Sequence, residues 1–209
     1  IEYNPNPDEI ITDVAFTLSS SPTGISNRII KSEDKLKVGV TLKFIEDEFD
    51  SDYSDKIKDL FIHVINKHNA RVYIFPHVQV DESDISSRSD IKKAFEIYLS
   101  IPDEYKSKIT ILYDNYDPFE LKELYSKMDV FIGTRLHSAI FAITENVPVI
   151  NISYHGTKSK GIMGHLNLAE WVIDELNFGL LNEKMDQLIQ EKDEVKVNLI
   201  KAIEKARAL

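Results

Sequence analysis

Short apolar, β-rich runs alternate with longer helical patterns along most of this chain, and that alternation limits the fold more than any other feature. Lys37–Leu42, Arg71–Phe75, Ile109–Tyr113, Asp129–Ile132 and Pro148–Ile152 read as strands, rich in β-branched and aromatic residues. Each is nearly continuous in apolar character, as expected where helices cover both faces of a sheet. Between them, Ile57, Leu60, Phe61, Val64 and Ile65 repeat at helical spacing, as do Ile91, Ala94, Phe95, Tyr98 and Leu99 before Pro102. Asp117-Pro118-Phe119-Glu120 is a helix start: aspartate caps, proline suits the first position, and glutamate reaches back to the cap amide. A helix over Leu136 to Glu145 ends near Asn146. One or two amphipathic helices follow Asn182, with Leu188, Ile189, Leu199, Ile200 and Ile203 inward. The pattern predicts βαβ units and a doubly wound, Rossmann-like parallel α/β sheet.

The first 34 residues break the pattern. Val14–Leu18 is a strand candidate followed by the loop-like Ser19–Gly24, so residues 1–34 are expected to end a preceding unit or add an edge segment. A Rossmann-like domain is then expected over 35–209, the part that the family resemblance below makes the donor-binding domain. With Ile1 first and no apolar leader, the sequence reads as a piece of a longer chain.

Composition narrows the function. The 209 residues hold 25 Lys and Arg against 35 Asp and Glu, a net charge of −10, which argues against a nucleic-acid partner. No run reaches the ~20 apolar residues of a membrane span. Zero cysteines exclude disulfides and thiolate chemistry and fit a reducing compartment. The histidines form no metal pattern, so no metal site is expected. No Gly-x-Gly-x-x-Gly fingerprint occurs, and no cofactor is called for. The Asn151-Ile152-Ser153 sequon falls in an expected buried strand and is set aside.

Ligands of open α/β sheets bind beyond the carboxyl ends of the strands. There, Gly133-Thr134-Arg135-Leu136-His137-Ser138 joins a strand to a helix. Free amides and the positive helix end favour an anion, Arg135 supplies a planar guanidinium, and His137 can donate a hydrogen bond or a proton. The competing reading is a surface arginine and a buried, satisfied histidine. The next strand leads into Ser153–Met163, where Lys158 can bring a second positive charge or be merely solvated; Gly161-Ile162-Met163 fails the P-loop pattern. His77, with Asp81, Glu82 and Asp84 beyond it, reads as a solvated acidic loop or as a general base.

Asp129 to Ala142, then Val147-Pro148-Val149-Ile150, Ile152-Ser153-Tyr154 and Lys158 to Met163, resemble the polysaccharide pyruvyl transferase family, from about Thr12 to the C-terminus. The resemblance implies the C-terminal domain of a glycosyltransferase-B-type enzyme made of two Rossmann-like halves. It implies transfer of pyruvate from phosphoenolpyruvate to two hydroxyls of a sugar or lipid-linked saccharide acceptor, in cell-surface polysaccharide biosynthesis. The expected setting is the cytoplasm or the inner face of the membrane, without a membrane span. By the same resemblance Arg135 and His137 match the donor-binding and catalytic pair, with Gly133 and Ser138 beside them, and Lys158 matches the loop lysine. Three residues separate Tyr154 from Lys158, so Lys160 is the alternative. The N-terminal domain, with its acceptor contacts, is expected to be missing. The rival activity is a nucleotide-sugar-dependent glycosyltransferase of the same architecture.

Overall fold

The computed structural model of the protein describes residues 13–18, 20, 22–31, 36–43, 49–75, 77, 90–153, 158–174 and 178–207. A six-stranded, wholly parallel sheet runs β3-β2-β1-β4-β5-β6. The strands are β1 (Lys37–Thr41), β2 (Arg71–Phe75), β3 (Ile109–Ile111), β4 (Val130–Gly133), β5 (Val149–Ile152) and β6 (Val172–Ile173). All five expected strands are present within a residue or two. The sixth is only two residues long, too short to leave a periodic signal. The strand order reverses between β1 and β4, which makes the crevice at their carboxyl ends the natural ligand position.

The helices are α1 (Ile25–Ile29), α2 (Phe49–His68), α3 (Asp90–Ser100), α4 (Asp103–Lys106), α5 (Pro118–Tyr125), α6 (Leu136–Thr144), α7 (Lys158–His165) and α8 (Leu181–Arg207). The capping box of α5 forms as its sequence predicts: Phe119 N and Glu120 N donate to Asp117 Oδ1, and Asp117 N donates to Glu120 Oε2. Asn146, at φ 58°, closes the segment after α6 in the left-handed region that asparagine tolerates. The tail is one helix, with Leu188, Leu199 and Ile203 buried and Ile189 packed against the core; Ile200, expected inward, is exposed.

Two expectations are corrected. Val14–Phe16 is a 3-10 turn rather than a strand. Asp13 drives it, accepting the Ala15 amide on its carboxylate and the Phe16 amide on its carbonyl, so local capping overrides β-propensity. Phe16 then enters the shared core against α6 and α8. Helix α3 is rotated from its expected face: Phe95 and Leu99 are exposed, whereas Asp90, Lys93, Ala94 and Ile97 are buried. Burial of Asp90 against Arg135 sets that rotation.

The middle of the sheet is packed by close approach. A Cβ on Gly39 would collide with the Phe131 ring and with Met128, so the side chain of β4 lies directly over the backbone of β1. Phe131 in turn packs on Tyr125 and Phe75, at centroid separations of 4.3 and 5.9 Å.

Glu123 on α5 pins the short helix α1 from 97 residues away. Its Oε1 accepts the Ser26 amide, and its Oε2 accepts from the Thr23 hydroxyl, the Thr23 amide and the Gly24 amide. Burial disfavours the charge, but hydrogen bonds from Ser26 and Thr23 prevail and hold the carboxyl at about 2, below its ordinary 4.5. The unfolded chain therefore binds this proton more readily than the native one. The contribution of Glu123 to stability is complete above pH 4.5 and is lost as pH falls towards 2. Glu123→Gln should lower the melting temperature at pH 7, and its deficit against wild type should shrink in melts at progressively lower pH between 4.5 and 3.

Candidate functional site

A polar seam joins the carboxyl ends of β1 and β4 at the point of strand reversal. The Thr134 amide donates to Thr41 Oγ1 at 3.1 Å, the Thr41 hydroxyl lies 2.8 Å from Ser138 Oγ, and Ser138 Oγ donates to the Arg135 carbonyl at 2.7 Å. Because the Ser138 proton goes to Arg135, Thr41 donates to Ser138. Both hydroxyls are fully buried, so Ser138 shapes the turn from within. Gly133 is required by contact: a Cβ there would stand 2.9 Å from the Ala139 Cβ and 3.0 Å from its amide nitrogen. The glycine lets α6 start hard against β4.

This turn puts Arg135 at the N-cap of α6. Its Nε and Nη2 donate to the two oxygens of Asp90 at 3.0 and 2.8 Å, a side-on pair that leaves Nη1 for another acceptor. Asp90 is 2% exposed, whereas the Arg135 side chain keeps about a quarter of its surface. The arginine is thus neither a free surface group nor wholly consumed. Sequence reasoning missed Asp90. It lies 45 positions away and opens a helix, where an aspartate needs no further explanation.

His137 behaves oppositely to a buried, satisfied histidine. Its side chain is 60% exposed, and Nε2 lies 3.3 Å from Asp13 Oδ2. His77, just beyond β2, is the enclosed one, which corrects the solvated-loop reading for that residue; Asp81, Glu82 and Asp84 lie outside the described residues. Burial, then the positive charge of Arg135, lowers His77 to about 4, so it is neutral at physiological pH. Its Nδ1 is buried and has no partner among the described residues.

The two histidines line one open cleft of about 470 Å³ with Asp13, Tyr116, Leu121 and Phe141. Burial, then Asp114, raises the Tyr116 hydroxyl to about 12, so it too is neutral. Thr134 Oγ1 and Asn151 Oδ1, also at the carboxyl ends of the strands, are buried without a partner among the described residues. Three such atoms at the ends of β2, β4 and β5 make this edge a candidate place for a polar ligand.

The lysines occupy the adjacent strand end. Lys158 opens α7 after β5 and is exposed, and Lys160 Nζ pairs with Asp174 at 2.5 Å. β4 and β5 are parallel neighbours, so Arg135 and Lys158 belong to the same edge of the sheet. Tyr154, His155, Gly156 and Thr157 lie outside the described residues. Among the described residues no helix is long and apolar enough to cross a membrane.

Because burial opposes protonation of His77, titration followed by its imidazole NMR resonances should show it neutral at pH 6 and charged only near pH 4. A midpoint near its ordinary 6.5 would mean that the cleft is more hydrated than this packing allows.

The family model described as polysaccharide pyruvyl transferase matches residues 2–156. The match includes Gly133, Arg135 and His137 and ends before Lys158. A curated relative, the amylovoran biosynthesis protein AmsJ of Erwinia amylovora, is 32% identical over 108 residues, covering 51% of this chain and 26% of that protein. Among solved structures, ADP-heptose lipopolysaccharide heptosyltransferase II of E. coli superposes with a TM-score of 0.59 at 12% identity, over 84% of this chain and 54% of that one. WaaG, a glycosyltransferase of lipopolysaccharide biosynthesis, gives 0.56 at 15% identity, over 95% and 50%. The C-terminal domain of the group 1 glycosyl transferase LpcC of Francisella tularensis gives 0.55 at 14% identity, over 86% of each chain. At these identities the structural likeness shows the fold, a Rossmann-like α/β sheet of the glycosyltransferase-B type. The chain spans about half the length of the first two of these structures.

Proposed function

The chain belongs to the polysaccharide pyruvyl transferase family, and we propose that it is the donor-binding half of an enzyme that transfers pyruvate from phosphoenolpyruvate to a sugar. The observation that carries this reading is the turn into α6, which bears Arg135 and His137 next to a cleft lined by His137 and neutral His77. The half-enzyme reading is supported by the share of each structural neighbour that aligns: about half of two whole glycosyltransferases, but most of one separate C-terminal domain.

Phosphoenolpyruvate carries a phosphate and a carboxylate. Arg135 Nη1 and the free amides of α6 take one anionic group, and Lys158 at the neighbouring strand end takes the other. Lys160 is the alternative if Asp174 releases it. Proton transfer to the methylene carbon of the donor makes the adjacent carbon electrophilic, and the first sugar hydroxyl adds there and loses its proton. The carbon–oxygen bond to phosphate then breaks, inorganic phosphate leaves, and the second hydroxyl closes the cyclic ketal. His137, exposed and beside Asp13, acts in this reading as the acid or neutralises departing phosphate. His77, neutral and with an unpaired Nδ1, is suited to accept a hydroxyl proton. Gly133 and Ser138 contribute by shaping the turn. Arginine and lysine supply the charge neutralisation, and no resident cofactor enters the scheme. In this reading the sugar or lipid-linked acceptor and a second, N-terminal domain complete the cleft on the cytoplasmic side.

In an enzyme with both halves, His137→Ala should reduce turnover roughly 100-fold or more. Arg135→Lys should also be damaging, since a point charge replaces a two-pronged donor. Arg135→Ala is the poorer test, because it strands a buried Asp90 carboxylate at a cost of about 3–5 kcal/mol. Phosphoenolpyruvate should protect the cleft from proteolysis or heat; protection by a nucleotide sugar instead would assign the rival glycosyl transfer. Wild-type turnover in both variants would remove Arg135 and His137 from the reaction.

The 209-residue chain alone should bind phosphoenolpyruvate only at millimolar levels or weaker, because one-walled cation contacts in water contribute about 1 kcal/mol or less each. It should form no ketal. Calorimetry at low salt tests the first statement, and robust ketal formation by the isolated chain would overturn the second.

A further inference from the structure

We propose that His63, His68 and Asp186 form a binding site for a divalent transition-metal ion of the zinc class, clamping α2 to α8. The inference is independent of the pyruvyl-transfer reading. Helix α2 leaves the carboxyl end of β1 and returns to start β2, so its last turns lie at the amino edge of the sheet, opposite the anion cleft.

Two histidines on α2 converge there on one oxygen from α8. His63 Nε2 lies 2.9 Å and His68 Nε2 2.6 Å from the same Asp186 Oδ1. The rings meet edge to face, with centroids 6.2 Å apart. One donor atom from each residue lies within 4.8 Å of the others, and the three side chains retain only 20–25% of their exposure. The site is therefore sheltered yet reachable from solvent.

Its chemistry suits a borderline cation. Two imidazole nitrogens and one carboxylate oxygen favour zinc, nickel, cobalt or copper over magnesium or calcium, which prefer all-oxygen shells. In a tetrahedral site with bonds of about 2.0–2.1 Å, ligand atoms stand roughly 3.3 Å apart. The histidine nitrogens need to withdraw from Asp186 by less than 1 Å to admit the ion. Each ring must carry its proton on Nδ1, leaving the Nε2 lone pair for the metal. Asp186 supplies the carboxylate oxygen on which both imidazoles already converge.

One group competes with the metal. Lys67 Nζ lies 2.7 Å from Asp186 Oδ2, yet its side chain is 55% exposed and can swing into water. The metal and the ammonium both draw on one carboxylate, so removing the lysine should help the ion. A group that merely belonged to an ion-pair cluster would have no such effect on metal affinity.

The test uses the whole 209-residue chain, stripped with a chelator and titrated with Zn²⁺, with Mg²⁺ as control. Zn²⁺ should bind with one-to-one stoichiometry at micromolar affinity or better and raise the melting temperature, and Mg²⁺ should do neither. His68→Gln and Asp186→Asn should each weaken binding at least tenfold, and Lys67→Ala should tighten it. Zn²⁺ affinity unchanged in the double variant His63→Gln/His68→Gln would overturn the proposal, as would a wild type that Zn²⁺ does not stabilise. If the variants fail to fold, Co²⁺ added to the wild type decides. Intense visible bands of a four- or five-coordinate ion, abolished by Zn²⁺, support the site, and the weak spectrum of hydrated Co²⁺ overturns it.

Discussion

Two buried hydroxyls and one amide hold the protein together at the point where its strand order reverses. Strands β1 and β4 are far apart in sequence and adjacent in space, and their carboxyl ends would leave polar backbone groups without partners. Thr41 takes the Thr134 amide and donates to Ser138, which closes on the Arg135 carbonyl. Gly133 allows the following helix to begin at contact distance. The orientation of α6, and with it the direction of Arg135 and His137, depends on this seam. Each unmade bond in so dry a place would cost about 1–3 kcal/mol.

Outside the seam, the two cleft histidines differ in their surroundings. His77 is enclosed, and Arg135 adds a positive neighbour, so it is neutral. His137 is mostly in water, with its Nε2 3.3 Å from Asp13 Oδ2. Asp90 contributes by aiming Arg135: a side-on pair fixes the guanidinium plane and leaves one nitrogen outward. The same buried carboxylate turns α3, which brings Phe95 and Leu99 to the surface.

Long-range pairing recurs at the edges of the fold. Glu123 caps a helix nearly a hundred residues upstream, and Asp186 gathers two histidines and a lysine from α2. Lys122, fully buried, ties α5 to Thr144 and Glu145 after α6. In each case a charged side chain shielded from water is satisfied by a group that the chain supplies from a distant element, as a low-dielectric interior demands.

Local physics was legible in the sequence. The apolar runs of β1 to β5, the Asp117 capping box and the Gly133–Ser138 junction are written in residues close together in the chain, because strand burial, helix capping and strand–helix turns are decided within a few positions. The Val14–Leu18 segment misled because its β-branched and apolar side chains outweighed, on paper, one aspartate that caps a turn. Asp90 with Arg135, His77 with His137, and His63 and His68 with Asp186 were not legible. Their partners are 45, 60 and about 120 positions apart, and no spacing rule links such residues. The sequence by itself determined the strand–helix alternation, and so the parallel sheet and the edge at which ligands meet it. Only the tertiary structure decided which charges face one another, because burial and distance, which set a group's protonation and its partner, exist only once the helices have packed on the sheet.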